Sequence, residues 1–229
     1  MLAVVISGDI IASTSLSDRD RTSIENALAV LIGDLKRLYS IYGRVIKGDY
    51  IEFVVPEPKD ALRIALAIKA FVKSTPVRSI PANTKDSRLK LFKTHGIRLA
   101  IGYGDLSRYD PEKGIIDGEA IYYSGRTIND NVTYNKQKVI IKNTLFFKSN
   151  DAELNSEFDV IFSLLDTLLS KATSRQCKVL YLKLIGFNEE AISKELQIYQ
   201  STVNQHSRSI GWNAIEKAVL YFESRIIQP

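Results

Sequence analysis

Two aspartates that follow glycines are the strongest candidates for chemistry in the sequence. Asp9 follows the apolar run 2–7, and Asp49 lies in the turn of a predicted hairpin over 44–55. The end of a first strand and the turn of that hairpin lie at the same end of a sheet, so we expect the two carboxylates to converge. Paired carboxylates suit a Mg²⁺ ion that also holds a nucleotide triphosphate, because this cation prefers oxygen ligands and takes few from the protein. Alternatively, each Gly-Asp pair only forms a turn.

A second set of candidate residues lies near the C terminus, on two helical segments separated by a short break. Residues 189–196 and 200–210 have the apolar spacing of helices, and Ile192, Leu196 and Val203 are placed to meet where the helices cross. Gln and Asn side chains can form two hydrogen bonds to a base edge, whereas Ser, Thr and Arg commonly contact phosphate. If the two segments form a helix-turn-helix, the side chains predicted to contact double-stranded DNA are Gln200, Ser201, Thr202, Asn204, Gln205 and Arg208.

The predicted DNA-contacting helix carries little charge. Residues 171–229 contain eight Lys and Arg against five Glu, whereas residues 73–98 contain seven Lys and Arg against one Asp. Since basic clusters attract phosphate, we expect firm DNA binding to need either a homodimer or the stretch 73–98. The alternative for that stretch is a solvated loop.

The elements that must position the aspartates follow from apolar periodicity and turn residues. They predict an α+β, ferredoxin-like βαββαβ domain with helices on one face of an antiparallel sheet. The predicted elements are a strand at 2–7, a helix from Ser17 to Gly43, the hairpin 44–55, a helix from Pro58 to Val72, a strand at 96–104, a helix at 118–135 and a last strand at 138–147.

The rest of the chain predicts a small all-α domain. The polar residues 148–157 indicate a linker, so we expect one domain over 1–150 and another over 151–229, with a helix-turn-helix at about 174–210. The helix at 158–169 carries an apolar stripe, which either forms a dimer seam or packs on its own chain. Further helices are predicted at 175–186 and 212–222.

Composition limits the class of protein. The chain has 229 residues, a net charge of +5 and one cysteine, so a disulfide framework is excluded and a cytoplasmic protein is expected. No apolar run approaches the roughly 20 residues of a membrane span. The first residues lack a basic segment and are predicted to be a strand rather than a signal peptide.

Several short motifs follow one another in the N-terminal part. They are Gly8-Asp9-Ile10-Ile11, Lys47-Gly48-Asp49, the stretch from Arg98 to Gly104, and Gly118-Glu119-Ala120-Ile121 followed by Arg126. In these residues the chain resembles class III nucleotide cyclases and, more closely, the SatD family of bacterial proteins. The resemblance implies that Asp9, Ile10 and Asp49 bind Mg²⁺ or Mn²⁺, that Lys47 and Arg126 contact a nucleotide, and that Arg126 steadies the transition state in a catalytic member.

Two departures from the cyclase pattern favour binding over catalysis. Tyr122 stands where cyclases have the asparagine that orients the ribose, and Lys47 lies only two residues before Asp49, which is not the usual spacing of the lysine that selects the base. The metal-binding residues are therefore present while those that orient the substrate are not.

The C-terminal segments also resemble a known class. Gly186 precedes an acidic helix start, and Ile192, Leu196 and Ile198 are followed by Ser201-Thr202-Val203 and His206. This pattern resembles the helix-turn-helix of LuxR-type regulators and sigma factors, which implies that the second helix enters the major groove of DNA. A generic helical bundle is the alternative.

The residues therefore lead to three hypotheses for function. The first is a DNA-binding transcriptional regulator whose cyclase-like domain senses a nucleotide or a metal. The alternative is a Mg²⁺-dependent nucleotide cyclase or nucleotidyltransferase that uses Asp9 and Asp49 and carries a helical module for DNA or a partner. In the third, the helices dimerise and the protein is a scaffold.

Overall fold

The structure, a computed structural model, describes residues 1–46, 48–77, 87–131 and 141–226. Lys47, the end of the predicted helix 118–135 and the start of the predicted strand 138–147 lie outside these residues. The described strands are β1 (Leu2–Ile10), β2 (Tyr42–Ile46), β3 (Tyr50–Val55), β4 (Ile97–Asp110), β5 (Ile115–Gly118) and β6 (Leu145–Lys148). The described α-helices are α1 (Asp18–Tyr39), α2 (Ala61–Ser74), α3 (Ser87–His95), α4 (Glu119–Asp130), α5 (Ala152–Lys171), α6 (Ser174–Leu184), α7 (Glu189–Leu196), α8 (Gln200–Ser209) and α9 (Trp212–Arg225).

The strands form a mixed α+β sheet around β1. Their order is β2-β3-β1-β4-β5, and each neighbour in this row is antiparallel. The last strand, β6, pairs with β4 in parallel. The sheet is thus antiparallel except at β6, which differs from the fully antiparallel sheet that was predicted.

Helices cover both faces of the sheet, so the prediction of helices on one face was wrong. Val4 and Ile6 face α1 and α2 and belong to the main core, whereas Ala3 and Val5 face α4 and form a smaller core with Ala120. The physical reason is the continuous apolar run of β1, whose alternate residues are buried on opposite sides.

Three element boundaries in the N-terminal part differ from the prediction. Helix α1 starts after Ser17, whose side chain accepts a hydrogen bond from the Asp20 amide, but it ends at Ser40 in a left-handed conformation rather than at Gly43. Gly43 lies within β2, where a Cβ would come within 2.6 Å of the Phe53 ring. Strand β4 continues beyond Gly104 into a hairpin with β5, and α3 lies inside the basic stretch 73–98, for which a solvated loop was one of the two alternatives. Residues 78–86 of that stretch lie outside the described residues.

The predicted linker at 148–157 was also wrong in part, because a helix begins there. Asp151 caps α5, and its carboxylate accepts hydrogen bonds from the amides of Glu153 and Leu154. Residues 152–157 form the first turns of this helix, whereas Lys148 ends β6 and Ser149 is buried.

The C-terminal helices pack against α1, α2 and the sheet through one continuous core. The rings of Phe71 and Tyr181 meet with centroids 4.8 Å apart, and Phe147 of β6 lies among Phe158, Phe162 and Phe222. Of the two alternatives for the apolar stripe of α5, packing on its own chain is therefore the observed one, since Phe158, Phe162, Leu165 and Leu169 are buried there.

Polar contacts join the same elements. Arg63 of α2 donates to Glu223 of α9 at 2.7 Å and 3.0 Å, and the Tyr181 hydroxyl donates to Asp34 of α1 at 3.2 Å. Among the described helices, none is both long enough and apolar enough to cross a membrane.

Candidate functional site

Asp9 and Asp49 lie side by side at one end of the sheet. Asp9 is near the end of β1 in register with Tyr50, the first residue of β3, and Asp49 precedes Tyr50 in the turn. The Ile10 amide donates to the Asp49 carbonyl oxygen at 2.9 Å, which holds the turn against the strand end. The residue before Asp9 must be glycine, because a Cβ on Gly8 would lie 2.9 Å from the Arg98 carbonyl oxygen.

Each carboxylate already has a polar partner. Arg98 of β4 donates from one guanidinium nitrogen to both oxygens of Asp9, at 3.1 Å and 3.3 Å. The Ser13 hydroxyl donates to Asp49 at 2.7 Å. The site therefore consists of two acids, one buried cation and one hydroxyl group.

The electrostatics of Asp9 are set by opposing influences. Burial raises the pKa of the Asp9 carboxyl above its ordinary value of 3.8, the nearby Arg98 lowers it, and the charge of Asp49 raises it. The net direction is upward, so desolvation outweighs the ion pair. The Arg98 side chain is only 3% exposed, and its Nε has no acceptor among the described residues.

A row of polar side chains continues from the site along the face of the sheet that α4 covers. The hydroxyls of Ser7 and Ser124 lie 2.8 Å apart in a buried contact between β1 and α4. Arg44 donates to Glu52 at 2.6 Å and to the Gly114 carbonyl at 2.6 Å. These contacts hold α4 and the β4–β5 hairpin against this face of the sheet.

Arg126 occupies a separate, exposed position on α4. Its guanidinium lies 5.7 Å from the centroid of the Tyr122 ring, and the Tyr122 hydroxyl hydrogen-bonds to Asp117. The next residue toward the sheet, Gly125, approaches the Tyr50 hydroxyl. The structure thus brings Asp9, Ile10 and Asp49 together, places Arg126 on a neighbouring surface, and leaves Lys47 outside the described residues.

Sequence reasoning missed the roles of Arg98 and Ser13 in this site. Arg98 was recognised only as the start of a strand motif, yet strict alternation along β4 puts it on the same face as Ala100 and Gly102. Its pairing with Asp9 depends on the register between β1 and β4, which no local pattern reveals.

The second candidate surface is formed by α7, a tight turn and α8. Asn188 caps α7, and Gln197 ends it in a left-handed conformation. The Ser193 hydroxyl donates to the Ile198 carbonyl at 2.6 Å, which closes the turn. Ile192 and Val203 are fully buried where the two helices meet, as the apolar spacing predicted.

The polar residues of α8 point mostly to solvent. Gln200, Ser201, Asn204, Gln205 and Arg208 are exposed, and Thr202 is half-buried. Tyr199, just before the helix, is 83% exposed. All of the side chains predicted to contact DNA therefore lie on one helix, and five of the six are open to a partner.

No protein-family model matches this chain, and no curated protein is significantly similar to it. Among solved structures, one bacterial light-regulated adenylyl cyclase is similar with a TM-score of 0.42 and 14% identity over 65% of this chain and 43% of that chain. A second structure of a bacterial light-regulated adenylyl cyclase gives a TM-score of 0.41 and 15% identity over 64% of this chain and 74% of that chain. This chain thus spans less than half the length of the first of these proteins.

Proposed function

We propose that this protein binds a nucleotide together with a divalent cation at Asp9 and Asp49, in an α+β domain of the nucleotide cyclase type. The observation that carries the proposal is the convergence of the two carboxylates, which the Ile10 amide fixes by its 2.9 Å hydrogen bond to the Asp49 carbonyl. The class of ligand follows from the oxygen donors, since Mg²⁺ and Mn²⁺ bind one or two carboxylates and complete their coordination with phosphate and water.

The residues present fit such a cation. Arg98 uses one nitrogen on Asp9, whereas a carboxylate offers about four lone-pair sites, so acceptor capacity remains. Asp9 and Asp49 would hold the ion, with the Ile10 carbonyl as the further ligand that the cyclase resemblance implies. When bound, the cation would neutralise phosphate oxygens of the nucleotide. In the described parts of the chain there is no cluster of three or more His, Cys, Asp or Glu side chains that could hold a metal alone.

Binding rather than turnover is favoured by Tyr122 and Arg126 on the neighbouring surface of α4. Tyr122 bonds to Asp117 and lies under Arg126, so the two positions that would orient ribose and steady a transition state are engaged with each other. A Mg²⁺-dependent nucleotide cyclase or nucleotidyltransferase is the alternative use of the same two aspartates, and it needs Arg126 to leave Tyr122.

The proposal includes the ferredoxin-like, cyclase-type class and the resemblance to the SatD family. The row β2-β3-β1-β4, with antiparallel neighbours and helices in the two crossovers, supports this class. The β4–β5 hairpin and β6 are then additions to the βαββαβ core.

The test is thermal melting of the full chain with ATP or GTP, with and without Mg²⁺ or Mn²⁺. The wild type should be stabilised by nucleotide only when the cation is present, and Asp9→Asn with Asp49→Asn should abolish that shift. Asp159→Asn, an exposed acid on α5, is the matched control. Absence of any cation-dependent shift in the wild type would overturn the proposal, and a cyclic nucleotide found by chromatography would favour the enzymatic alternative.

A second function, binding of double-stranded DNA through α7 and α8, is favoured by the exposed polar face of α8. The tight turn at Gln197 and the buried contact between Ile192 and Val203 support a helix-turn-helix. Because this face has a single arginine, firm binding would require a second copy of the chain or the basic stretch 73–98. Salt-dependent binding of the full chain to duplex DNA, followed by fluorescence anisotropy, tests this function, and a salt-independent signal would count against it.

A further inference from the structure

A cleft lies between the end of α8 and the beginning of α9, beside the start of α7. Its volume is about 480 Å³, and its lining includes Glu189, Asn204, Ser207, Arg208, Trp212 and Asn213. Neither Asp9 nor Asp49 contributes to it. The cleft therefore shares no lining residue with the proposed cation site.

Ser207 gives the first indication of a ligand. The residue is 3% exposed and lines the cleft, and its Oγ has no hydrogen-bond partner among the described residues. Buried hydroxyl groups in folded proteins are nearly always hydrogen-bonded, because an unmade bond leaves the cost of desolvation uncompensated. A ligand with an acceptor atom in the cleft would satisfy this group.

The beginning of α9 gives the second indication. Gly211 occupies the N-cap in a left-handed conformation, and no side chain caps the helix. The first amides of a helix have no acceptor inside the helix, and here those of Trp212 and Asn213 belong to lining residues of the cleft. The dipole of this 14-residue helix places positive potential at the same point.

The charges of the lining favour an anion. Glu189 is paired with Lys183 at 3.1 Å, and the Lys183 ammonium lies 5.1 Å from the centroid of the Trp212 ring. Arg208 is exposed at the cleft and has no salt bridge among the described residues. With Glu189 paired, the opposite partial charges at the end of α8 and the start of α9 roughly offset each other, and Arg208 leaves the cleft positive.

We propose that this cleft binds a phosphate group, with Ser207 donating a hydrogen bond, Arg208 providing the charge and the first amides of α9 capping the oxygens. The volume exceeds that of a lone phosphate, so a phosphate that carries a sugar is the class of ligand that fits. The source is either a free nucleotide or the backbone of DNA bound along α8, since Asn204 and Arg208 belong both to the cleft and to the exposed face of α8. If the phosphate comes from DNA, the proposal rests on the second proposed function and adds a backbone contact to it.

The chain supplies its own probe, because Trp212 is its single tryptophan. The experiment is a titration of Trp212 fluorescence in the full chain with inorganic phosphate, in the presence of EDTA so that no divalent cation occupies Asp9 and Asp49. A saturable change is expected, and Ser207→Ala should weaken phosphate binding by about tenfold, as expected for losing one hydrogen bond to a charged ligand. Ser209→Ala, an exposed serine on the same helix outside the lining, should bind like the wild type.

The same substitution also shows whether the variant is correctly folded. Because Ser207→Ala removes an unsatisfied hydroxyl, it should keep or raise the melting temperature without phosphate and lose the stabilisation that phosphate gives the wild type. Repeating the titration with AMP and with a mixed-sequence DNA duplex distinguishes the two sources. The source is the ligand that displaces phosphate from the cleft, as measured by Trp212 fluorescence. No saturable response to any of these probes, or equal responses of the two serine variants, overturns the proposal whatever the outcome at Asp9 and Asp49.

Discussion

Asp9 is a largely buried acid, with 21% of its side chain exposed, and its ion pair with Arg98 does not have the strongest geometry. Arg98 approaches through a single nitrogen rather than through the two-nitrogen fork that gives the strongest arginine–carboxylate contact. Burial therefore dominates, and the pKa of Asp9 lies above its ordinary value of 3.8. A divalent cation would relieve this cost, because it replaces lost hydration with direct coordination.

This balance predicts how cation binding depends on pH. Because the pKa of Asp9 is raised, protons compete with the cation at a higher pH than for an ordinary aspartate, and affinity should fall as the pH is lowered from 7 toward the raised value. Isothermal titration of the chain with the manganese complex of ATP at a series of pH values measures the effect. Constant affinity down to pH 4 would contradict this prediction, and Asp159→Asn should follow the wild-type profile.

At the level of residues, the sequence predicted that Asp9 and Asp49 lie close together but not which side chains contact them. Asp9 and Asp49 could be placed together because a strand end and a hairpin turn are both defined by local patterns. The partners Arg98 and Ser13 could not be placed, since one depends on pairing across two strands and the other on a one-turn 3₁₀-helix (Ser13–Ser15) that follows β1.

Among the elements, α8 carries two kinds of polar side chain. One kind could recognise base edges, and the other could only contribute charge. Gln205 is exposed and has the type of side chain that can form two hydrogen bonds to a base edge, whereas Arg208 lies at the end of the helix and lines the cleft between α8 and α9. The two positions should therefore respond differently to substitution.

If α8 binds in the major groove, Arg208→Ala should weaken binding to every duplex and lower the slope of log K against log salt by about one. Gln205→Ala should instead change the ranking of duplexes, with a cost of roughly 1–3 kcal/mol on the preferred site. Fluorescence anisotropy over a range of salt concentrations measures both effects. Lys217→Ala, which removes the same charge from an exposed position on α9, is the control, and equal weakening by both charge-removing variants would count against α8.

The elements that sequence patterns located best are those with long periodicity, such as α1 and α2. Strand β5 and helix α3 were missed because each is short, and α3 has three basic residues and a histidine among its nine residues, which suggested a loop. The start of α5 was missed for a related reason, since its capping acid and exposed first turns have the composition of a linker.

Across the whole molecule, a buried ion pair connects the sheet side to the C-terminal helices. Lys69 of α2 lies 3.2 Å from Asp166 of α5 and donates to the Ile97 carbonyl at 2.9 Å. Asp166 in turn accepts from the amide and hydroxyl of Thr144, just before β6. Four parts of the chain thus converge on one pair of charges, and burial lowers the pKa of Lys69.

Breaking this pair from one side should be costly. Lys69→Met leaves the Asp166 carboxylate buried without its charge partner, and we expect a loss of about 3 kcal/mol or more in the free energy of unfolding. Asp166→Leu should have a similar effect, and the double variant should lose less than the sum of the two, because it leaves neither charge unpaired. Urea unfolding measures all three, with Lys217→Met as an exposed control, and additive losses would show that the two charges act independently.

The character of α2 has a consequence for how such a protein can arise. Twelve of its fourteen residues are buried, so this helix has no solvent face and is enclosed between the sheet and the C-terminal helices. A domain acquired whole by gene fusion would bring a surface already suited to water on each side of the junction. Here, separating the chain near residue 150 would expose α2 on one fragment and the rings of Phe158, Phe162 and Phe222 on the other. The two halves therefore cover each other's apolar surface, and we expect either fragment alone to be prone to aggregation.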